Sequence, residues 1–195
     1  GEPIAVFFDD ITIGGKTFDD HIRLLGEVLQ RLEEYNLVVK SKKVSLACRE
    51  VRTLGFVVNE FGMETDECKL VAIRDFPTPK TPKEMRGFLG LLTFYGFFVP
   101  GLQGRLAPLH AVSNVMPSKF AWNAELDAVF QDAKTCFANK LRLALPDFSK
   151  EFRVMTDASD LGHGAGLSQL DDDGNEVPVA FDSGSFSASE RKWST

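Results

Sequence analysis

A chain of 195 residues with 44% hydrophobic residues carries enough apolar side chain to bury one large core or two small ones, which excludes a wholly disordered polymer. Its net charge of -6 argues against a uniformly basic nucleic-acid binder. No apolar run approaches the roughly 20 residues that cross a bilayer, and the Gly-Glu-Pro start lacks a signal-peptide pattern, so a soluble, intracellular setting is expected.

In chain order, Ile4 to Phe8 is apolar and β-prone, Asp9-Asp10 interrupts it, and Ile11-Thr12-Ile13 resumes the run before Gly14-Gly15. The pattern predicts a tight hairpin with two carboxylates at its tip. From Asp19 the period turns helical, with Ile22, Leu25, Val28, Leu29 and Leu32 on one face and an end expected near Asn36. Two strands are then read, Leu37-Val38-Val39 and Arg52 to Val58, separated by the basic Lys40-Ser41-Lys42-Lys43 and followed by a turn at Phe61-Gly62.

Asp66 is the expected N-cap of a helix through Leu70, Val71 and Ile73, which the proline-rich segment from Phe76 to Pro82 stops. Thr81, Pro82 and Glu84 have the pattern of a cap, a first helical residue and a first-turn acid. They open an apolar helix through Met85, Phe88, Leu89, Leu92 and Tyr95. Another helix is predicted from Ala124 to Asn139, with Leu126, Val129, Phe130, Ala133 and Phe137 as its buried stripe. After Pro146-Asp147-Phe148 the strands return, at Phe152 to Thr156, Gly164 to Leu170 and Val177 to Phe181, with Asp171-Asp172-Asp173-Gly174-Asn175 as hairpin-turn chemistry. A second sheet domain is expected to begin near residue 150 and to be incomplete at Thr195.

The charge is uneven. Residues 1–36 hold 3 Lys/Arg against 8 Asp/Glu, residues 37–120 hold 12 against 7, and residues 121–195 hold 7 against 13. A basic middle between acidic ends suits a phosphate-binding surface flanked by metal-binding carboxylates, although ordinary solvated faces give the same counts. Cys48, Cys68 and Cys136 are odd in number and lack CxxC spacing, which fits free thiols better than a zinc site.

Adjacent carboxylates raise one another's pKa, and a hard divalent cation relieves that repulsion. Two such ions about 3.5 to 4 Å apart stabilise the attacking and leaving oxygens of a phosphoryl transfer. Neighbours on a regular strand point to opposite faces, so a turn is needed for Asp9 and Asp10 to reach one site. Asp-Asp is equally ordinary turn chemistry, and the dipeptide alone does not decide. Other candidates fail. Gly162-His163-Gly164-Ala165-Gly166 is followed by a strand rather than a phosphate-binding helix, and Asp171-Asp172-Asp173-Gly174 lacks the closing glutamate of a calcium loop. The three histidines have no ligand spacing, and Phe120, Trp122 and the aromatics from Phe94 to Phe98 read as core.

Context decides the hairpin. Val6-Phe7-Phe8-Asp9-Asp10-Ile11, followed by a helix near His21, resembles the aromatic-x-Asp-Asp motif of reverse transcriptases in gypsy-type long-terminal-repeat retrotransposons. In family order, Leu37-Val38-Val39-Lys40-Ser41-Lys42-Lys43 resembles the segment after the palm helix, and Leu54-Gly55-Phe56-Val57 resembles the primer-grip strand. Phe88-Leu89-Gly90-Leu91-Leu92-Thr93-Phe94-Tyr95 resembles the thumb and connection, and Leu145-Pro146-Asp147-Phe148 with Thr156-Asp157-Ala158-Ser159 resembles the opening of the RNase H domain.

The resemblance covers nearly the whole chain. It implies an α+β architecture: the C-terminal part of a palm with primer-grip-like strands over 1–62, a helical thumb and connection over 63–145, and the first strands of an RNase H-like sheet over 146–195. The implied parent is a polyprotein enzyme that copies RNA into DNA and cuts the RNA of the hybrid. Asp9 and Asp10 would bind its polymerase metals, and Asp157 the RNase H metal. Mg²⁺ is the implied ion, with Mn²⁺ as the alternative. Lys43, or its neighbour Lys42, would stand near the incoming nucleotide as a proton donor to pyrophosphate. Lys40 and Lys42 would contact nucleic acid, and Leu54 and Gly55 would hold the primer end through their backbone.

Implied partners are an RNA template, a DNA primer, the RNA–DNA hybrid and dNTP, with no membrane, in a cytoplasmic particle or the nucleus. The family takes a third polymerase acid from a preceding strand and a second RNase H acid from a helix whose lead-in Ser187 to Thr195 resembles. Glu190 precedes that position, and the piece alone is expected to be inactive. The competing expectation is a non-catalytic nucleic-acid-binding or protein-interaction module derived from a retrotransposon, whose affinity would fall steeply with salt.

Overall fold

The computed structural model describes residues 4–160, 162–187 and 189–190. The chain forms two compact units, Gly1–Glu60 and Phe61–Thr195.

In the first unit, β1 (Ile4–Phe7) and β2 (Asp10–Ile13) pair antiparallel, Ile4 opposite Ile13 and Phe7 opposite Asp10. α1 (Phe18–Glu34) starts at Thr17, whose Oγ1 accepts the Asp20 N–H at 3.1 Å. Its end near Asn36 is as expected and has a definite cause. Asn36 adopts φ +55, its N–H donates to the Glu33 carbonyl, and the Leu37 N–H donates to the Leu32 carbonyl at 2.8 Å, the bonding of a Schellman motif.

That motif corrects the strand expected at Leu37-Val38-Val39. The Leu37 N–H is spent on the helix end, no ladder forms, and Val38 is left 94% exposed. Ser41–Lys43 is a single 3-10 turn. The strand expected from Arg52 to Val58 is likewise two strands, β3 (Glu50–Thr53) and β4 (Phe56–Asn59), paired with Thr53 opposite Phe56. Leu54 and Gly55 form the turn between them at φ +53 and +84, both positive as in a type I′ hairpin. Leu24 is the buried residue of α1, whereas Ile22 and Leu29 of the expected stripe are exposed. One helix and four short strands supply too little surface to cover them.

The second unit is built on helices. β5 (Gly62–Thr65) pairs with β6 (Arg142–Leu143), two strands the periodicity did not signal, and the β5 residue Glu64, only 5% exposed, receives the Arg142 guanidinium. Gly62 lies so close to the Leu143 carbonyl that a Cβ would collide with it. α2 (Glu67–Arg74) starts at Asp66, whose carboxylate accepts the Cys68 N–H, and α3 (Pro82–Phe94) starts at Thr81, whose Oγ1 accepts the Glu84 N–H. α4 (Leu102–Ser113), absent from the sequence reading, contains Pro108, and α5 (Ala124–Thr135) ends four residues earlier than expected. Phe137 is nonetheless fully buried just beyond it. The core is Leu70, Ile73, Met85, Phe88, Leu106 and Phe130, all 0–1% exposed, with the Phe88 ring centred 5.1 Å from Phe76 and 4.6 Å from Phe130.

β7 (Arg153–Ala158), β8 (Gly162–Leu170) and β9 (Glu176–Ser185) form an antiparallel meander in that order. The expected Asp171–Asn175 turn joins the last two, with Gly174 at φ +83. α4 packs on β9, where the Gln103 N–H donates to Ser183 Oγ at 3.1 Å. The helical middle and the terminal sheet therefore share one unit. Because Phe88 is fully buried against Phe76 and Phe130, Phe88→Ala is expected to cost roughly 3 to 5 kcal/mol, measured by urea denaturation of the chain.

Candidate functional site

Strand alternation is broken between Phe7 and Asp10, where Phe8 and Asp9 make a two-residue turn. Phe8 takes φ +51, a region that side-chain-bearing residues seldom enter, and its 88% exposed ring is edge-on to Phe7 at 4.9 Å. Asp9 occupies the turn and Asp10 the first position of β2, both exposed. Among the described residues neither has a side-chain hydrogen bond or ion pair. Two oxygen-donor carboxylates on one exposed tip fit a hard divalent cation in donor type. They are two ligands only, and no group of three His, Cys, Asp or Glu that could hold a metal occurs among the described residues.

The basic segment is held by its backbone. The Lys43 N–H donates to the Lys40 carbonyl at 2.8 Å and the Val44 N–H to the Ser41 carbonyl at 3.1 Å, which leaves the Lys40, Lys42 and Lys43 side chains in solvent. No ion pair joins them to Asp9 or Asp10 among the described residues. Leu54 and Gly55 sit at the β3–β4 turn, with Leu54 43% exposed at its positive φ. The side chains expected to act together thus lie on three separate turns of one unit: the hairpin tip, the 3-10 turn and the β3–β4 turn.

Asp157 belongs to the second unit. It lies in β7 opposite Gly164, is exposed, and also lacks an ion pair among the described residues. The glycine-rich stretch around His163, expected to be a turn leading into the strand from Gly164, lies within strand β8 itself. In the Asp171 turn, the Asn175 backbone N–H at 2.8 Å and its side-chain amide at 3.1 Å hold the Asp171 carboxyl below the usual carboxylate range. That acid is committed to its own turn, which agrees with its rejection as a calcium loop. Sequence reasoning missed the positive φ of Phe8 and the reciprocal bonds between Ser187 and Glu190. The S-x-x-E spacing was a readable signal for the second, whereas no pattern marks the first.

Residues 1–58 match the family described as reverse transcriptase (RNA-dependent DNA polymerase), and residues 122–195 match the RNase H-like domain found in reverse transcriptase. The chain is 32% identical over its full length to the retrovirus-related Pol polyprotein from transposon opus of Drosophila melanogaster. It is 28% identical over 98% of its length to the transposon Tf2-3 polyprotein of Schizosaccharomyces pombe. It spans 20% and 14% of those two proteins. Among solved structures, foamy viral protease-reverse transcriptase in complex with RNA/DNA hybrid matches at TM-score 0.83 and 26% identity, over 98% of this chain and 26% of that one. The same enzyme in complex with dsDNA also matches at 0.83, over 98% of this chain and 40% of that one. Among the described residues no helix is long and apolar enough to cross a membrane.

The β3–β4 turn yields a stability test. Asparagine tolerates positive φ where leucine does not, so Leu54→Asn is expected to stabilise the chain by roughly 0.5 to 1 kcal/mol, read as a higher urea midpoint.

Proposed function

We propose, for a chain that belongs to the reverse transcriptase–RNase H region of gypsy-type retrotransposon polyproteins, that its parent is an RNA-directed DNA polymerase which also cuts the RNA of the hybrid it makes. The observation that carries this reading is the pair of solvent-open acids on the Phe8-Asp9 turn inside the segment that matches the polymerase family.

Asp9 and Asp10 bind the divalent cation, Mg²⁺ with Mn²⁺ as the alternative, one acid from the turn and one from the first position of β2. A cation held there supplies charge neutralisation at the transferring phosphoryl group. Lys43, or Lys42 beside it, reaches the incoming dNTP and gives a proton to the departing pyrophosphate. Lys40 and Lys42 bind phosphates of the template or primer, a role that needs the solvated side chains the 3-10 turn leaves free. Leu54 and Gly55 present their turn backbone to the primer end. Asp157 holds the metal of the second reaction, in which water attacks the RNA strand.

The boundaries proposed for these parts are 1–62 for palm and primer grip, 63–145 for thumb and connection, and 146 onward for the RNase H-like domain. The partners are an RNA template, a DNA primer and the RNA–DNA hybrid, consistent with structural neighbours that are reverse transcriptases bound to hybrid and duplex. The parent works inside the cell, in a cytoplasmic particle or the nucleus.

Two reactions on two separate acid sites give a clean dissociation. In the full-length parent, Asp9→Asn or Asp10→Asn is expected to slow primer extension on RNA by roughly 10³-fold while hybrid cleavage persists, and Asp157→Asn to do the reverse. Unchanged extension in Asp9→Asn removes the metal-ligand assignment. Because Asp9 and Asp10 are an incomplete ligand set, the 195-residue chain alone is expected to extend no primer in a radiolabelled-primer assay with Mg²⁺. Extension above background refutes that expectation.

A further inference from the structure

Two cations beside β6 meet one buried acid. Glu64 of β5 lies directly across the ladder from Arg142 and is only 5% exposed. The Arg142 Nε donates to Glu64 Oε1 at 2.7 Å, and its Nη2 is turned to the same oxygen. Lys140, two residues before Arg142, brings its Nζ to 3.8 Å from Glu64 Oε2. The pairing is held by Gly62, whose missing side chain lets β5 approach the Leu143 carbonyl, and by the Thr65 N–H, which donates to the Leu141 carbonyl at 3.1 Å.

Arg142 by itself satisfies the charge of Glu64. The Lys140 contact is long and its side chain is 55% exposed, so it adds little to stability. One acid between two cations leaves a local excess of positive charge. The Arg142 side chain is also 55% exposed, and among the described residues its Nη1 makes no hydrogen bond. A guanidinium held along one edge keeps its other donors for a second anion.

An aromatic ring completes the cluster. The Arg142 guanidinium carbon stands over the Phe61 ring, 5.6 Å from its centre, and Phe61 is 64% exposed. A cation pair beside an open ring matches an unpaired nucleotide, which has a base face to stack and a phosphodiester charge to neutralise. A base inside a duplex is already covered on both faces by its neighbours.

We propose that Phe61, Lys140 and Arg142 bind single-stranded nucleic acid, the two cations taking a phosphodiester and Phe61 stacking on the adjacent base. The inference rests on the reading that the parent works on nucleic acid, and it adds a site in the second unit to Lys40 and Lys42 of the first. Glu64 orients the guanidinium and offsets one of the two positive charges. Removing its charge therefore strengthens binding, the opposite of what loss of a purely structural ion pair does.

The test measures fluorescence anisotropy of a labelled oligothymidine of about 20 nucleotides, and of a DNA duplex of the same length, against the 195-residue chain over a range of salt. Phe61→Ala is expected to bind the single strand about ten-fold more weakly and Phe61→Trp to match wild type, while the duplex is indifferent to both. Lys140→Ala is expected to lose about three-fold and to flatten the slope of log K against log salt by about 0.7, the share of one phosphate. Glu64→Gln, whose amide oxygen still accepts the Arg142 Nε–H, is expected to bind about three-fold more tightly. Urea midpoints check that each variant is folded, and if Glu64→Gln is not, the two exposed positions decide alone.

Phe61→Ala or Lys140→Ala at wild-type affinity overturns the proposal, as does a folded Glu64→Gln that binds no more tightly than wild type. An equal loss on the duplex in Phe61→Ala also overturns it, because the ring then reads something other than an unpaired base. A wild-type chain that binds neither probe at about 50 mM salt overturns the nucleic-acid reading itself, whereas wild-type binding shared by every variant sinks only this site.

Discussion

Carboxylates on consecutive residues repel one another, and among the described residues no ion pair neutralises Asp9 or Asp10. Along a regular strand they would point to opposite faces and the repulsion would be slight. The Phe8-Asp9 turn interrupts that regular strand, and it does so with a phenylalanine at φ +51 where glycine would sit more easily. A strained turn that exposes neighbouring acids stabilises nothing by itself, and the proposed function gives it a use in holding a divalent cation.

The second unit supplies rigidity. Its aromatic core is centred on Phe88, and Glu64, the one deeply buried acid among the described residues, is matched by Arg142 and approached by Lys140 at 3.8 Å. The first unit is the opposite case, with Val6 66% and Phe8 88% exposed and a shallow groove of about 280 Å³ between the hairpin and α1, lined by Ile4, Val6, Ile11, Val28 and Leu32. Asp9 and Asp10 thus stand on thinly covered elements. Asp157 stands on a sheet that α4 braces through β9.

What could be read from the sequence depended on whether the cause was local. Caps at Asp66 and Thr81, the Asp171–Asn175 turn and the apolar face of α3 follow from neighbours within four residues, and each is found where expected. Leu37–Val39 looked like a strand because its composition is β-prone, but the Schellman bonds of α1 claim its first N–H. The run from Arg52 to Val58 hid a turn because leucine at positive φ carries no sequence mark. α4 was invisible because Pro108 and its glycines blur its period, and the two-residue strand β6 exists only through its partner β5. Among the candidate site residues, the hairpin tip that carries Asp9 and Asp10 was legible in the alternation on either side of it, whereas the run of β7 through Asp157 to Ala158, two residues past the expected strand end, was not.

This chain matches a reverse-transcriptase family over residues 1–58 and an RNase H-like family over residues 122–195, and it spans a fifth or less of the two transposon polyproteins it resembles. Under the proposed function, Asp9 and Asp10 on one side and Asp157 on the other would serve two reactions of one polypeptide. The most direct measurement is anomalous scattering from crystals of the full-length parent, bound to RNA–DNA hybrid and soaked in Mn²⁺. The account expects manganese peaks against the carboxylates of Asp9 and Asp10 and against Asp157, with none at Glu190 or in the Asp171 turn. Absence of metal from the Asp9-Asp10 tip, with hybrid bound, would contradict it.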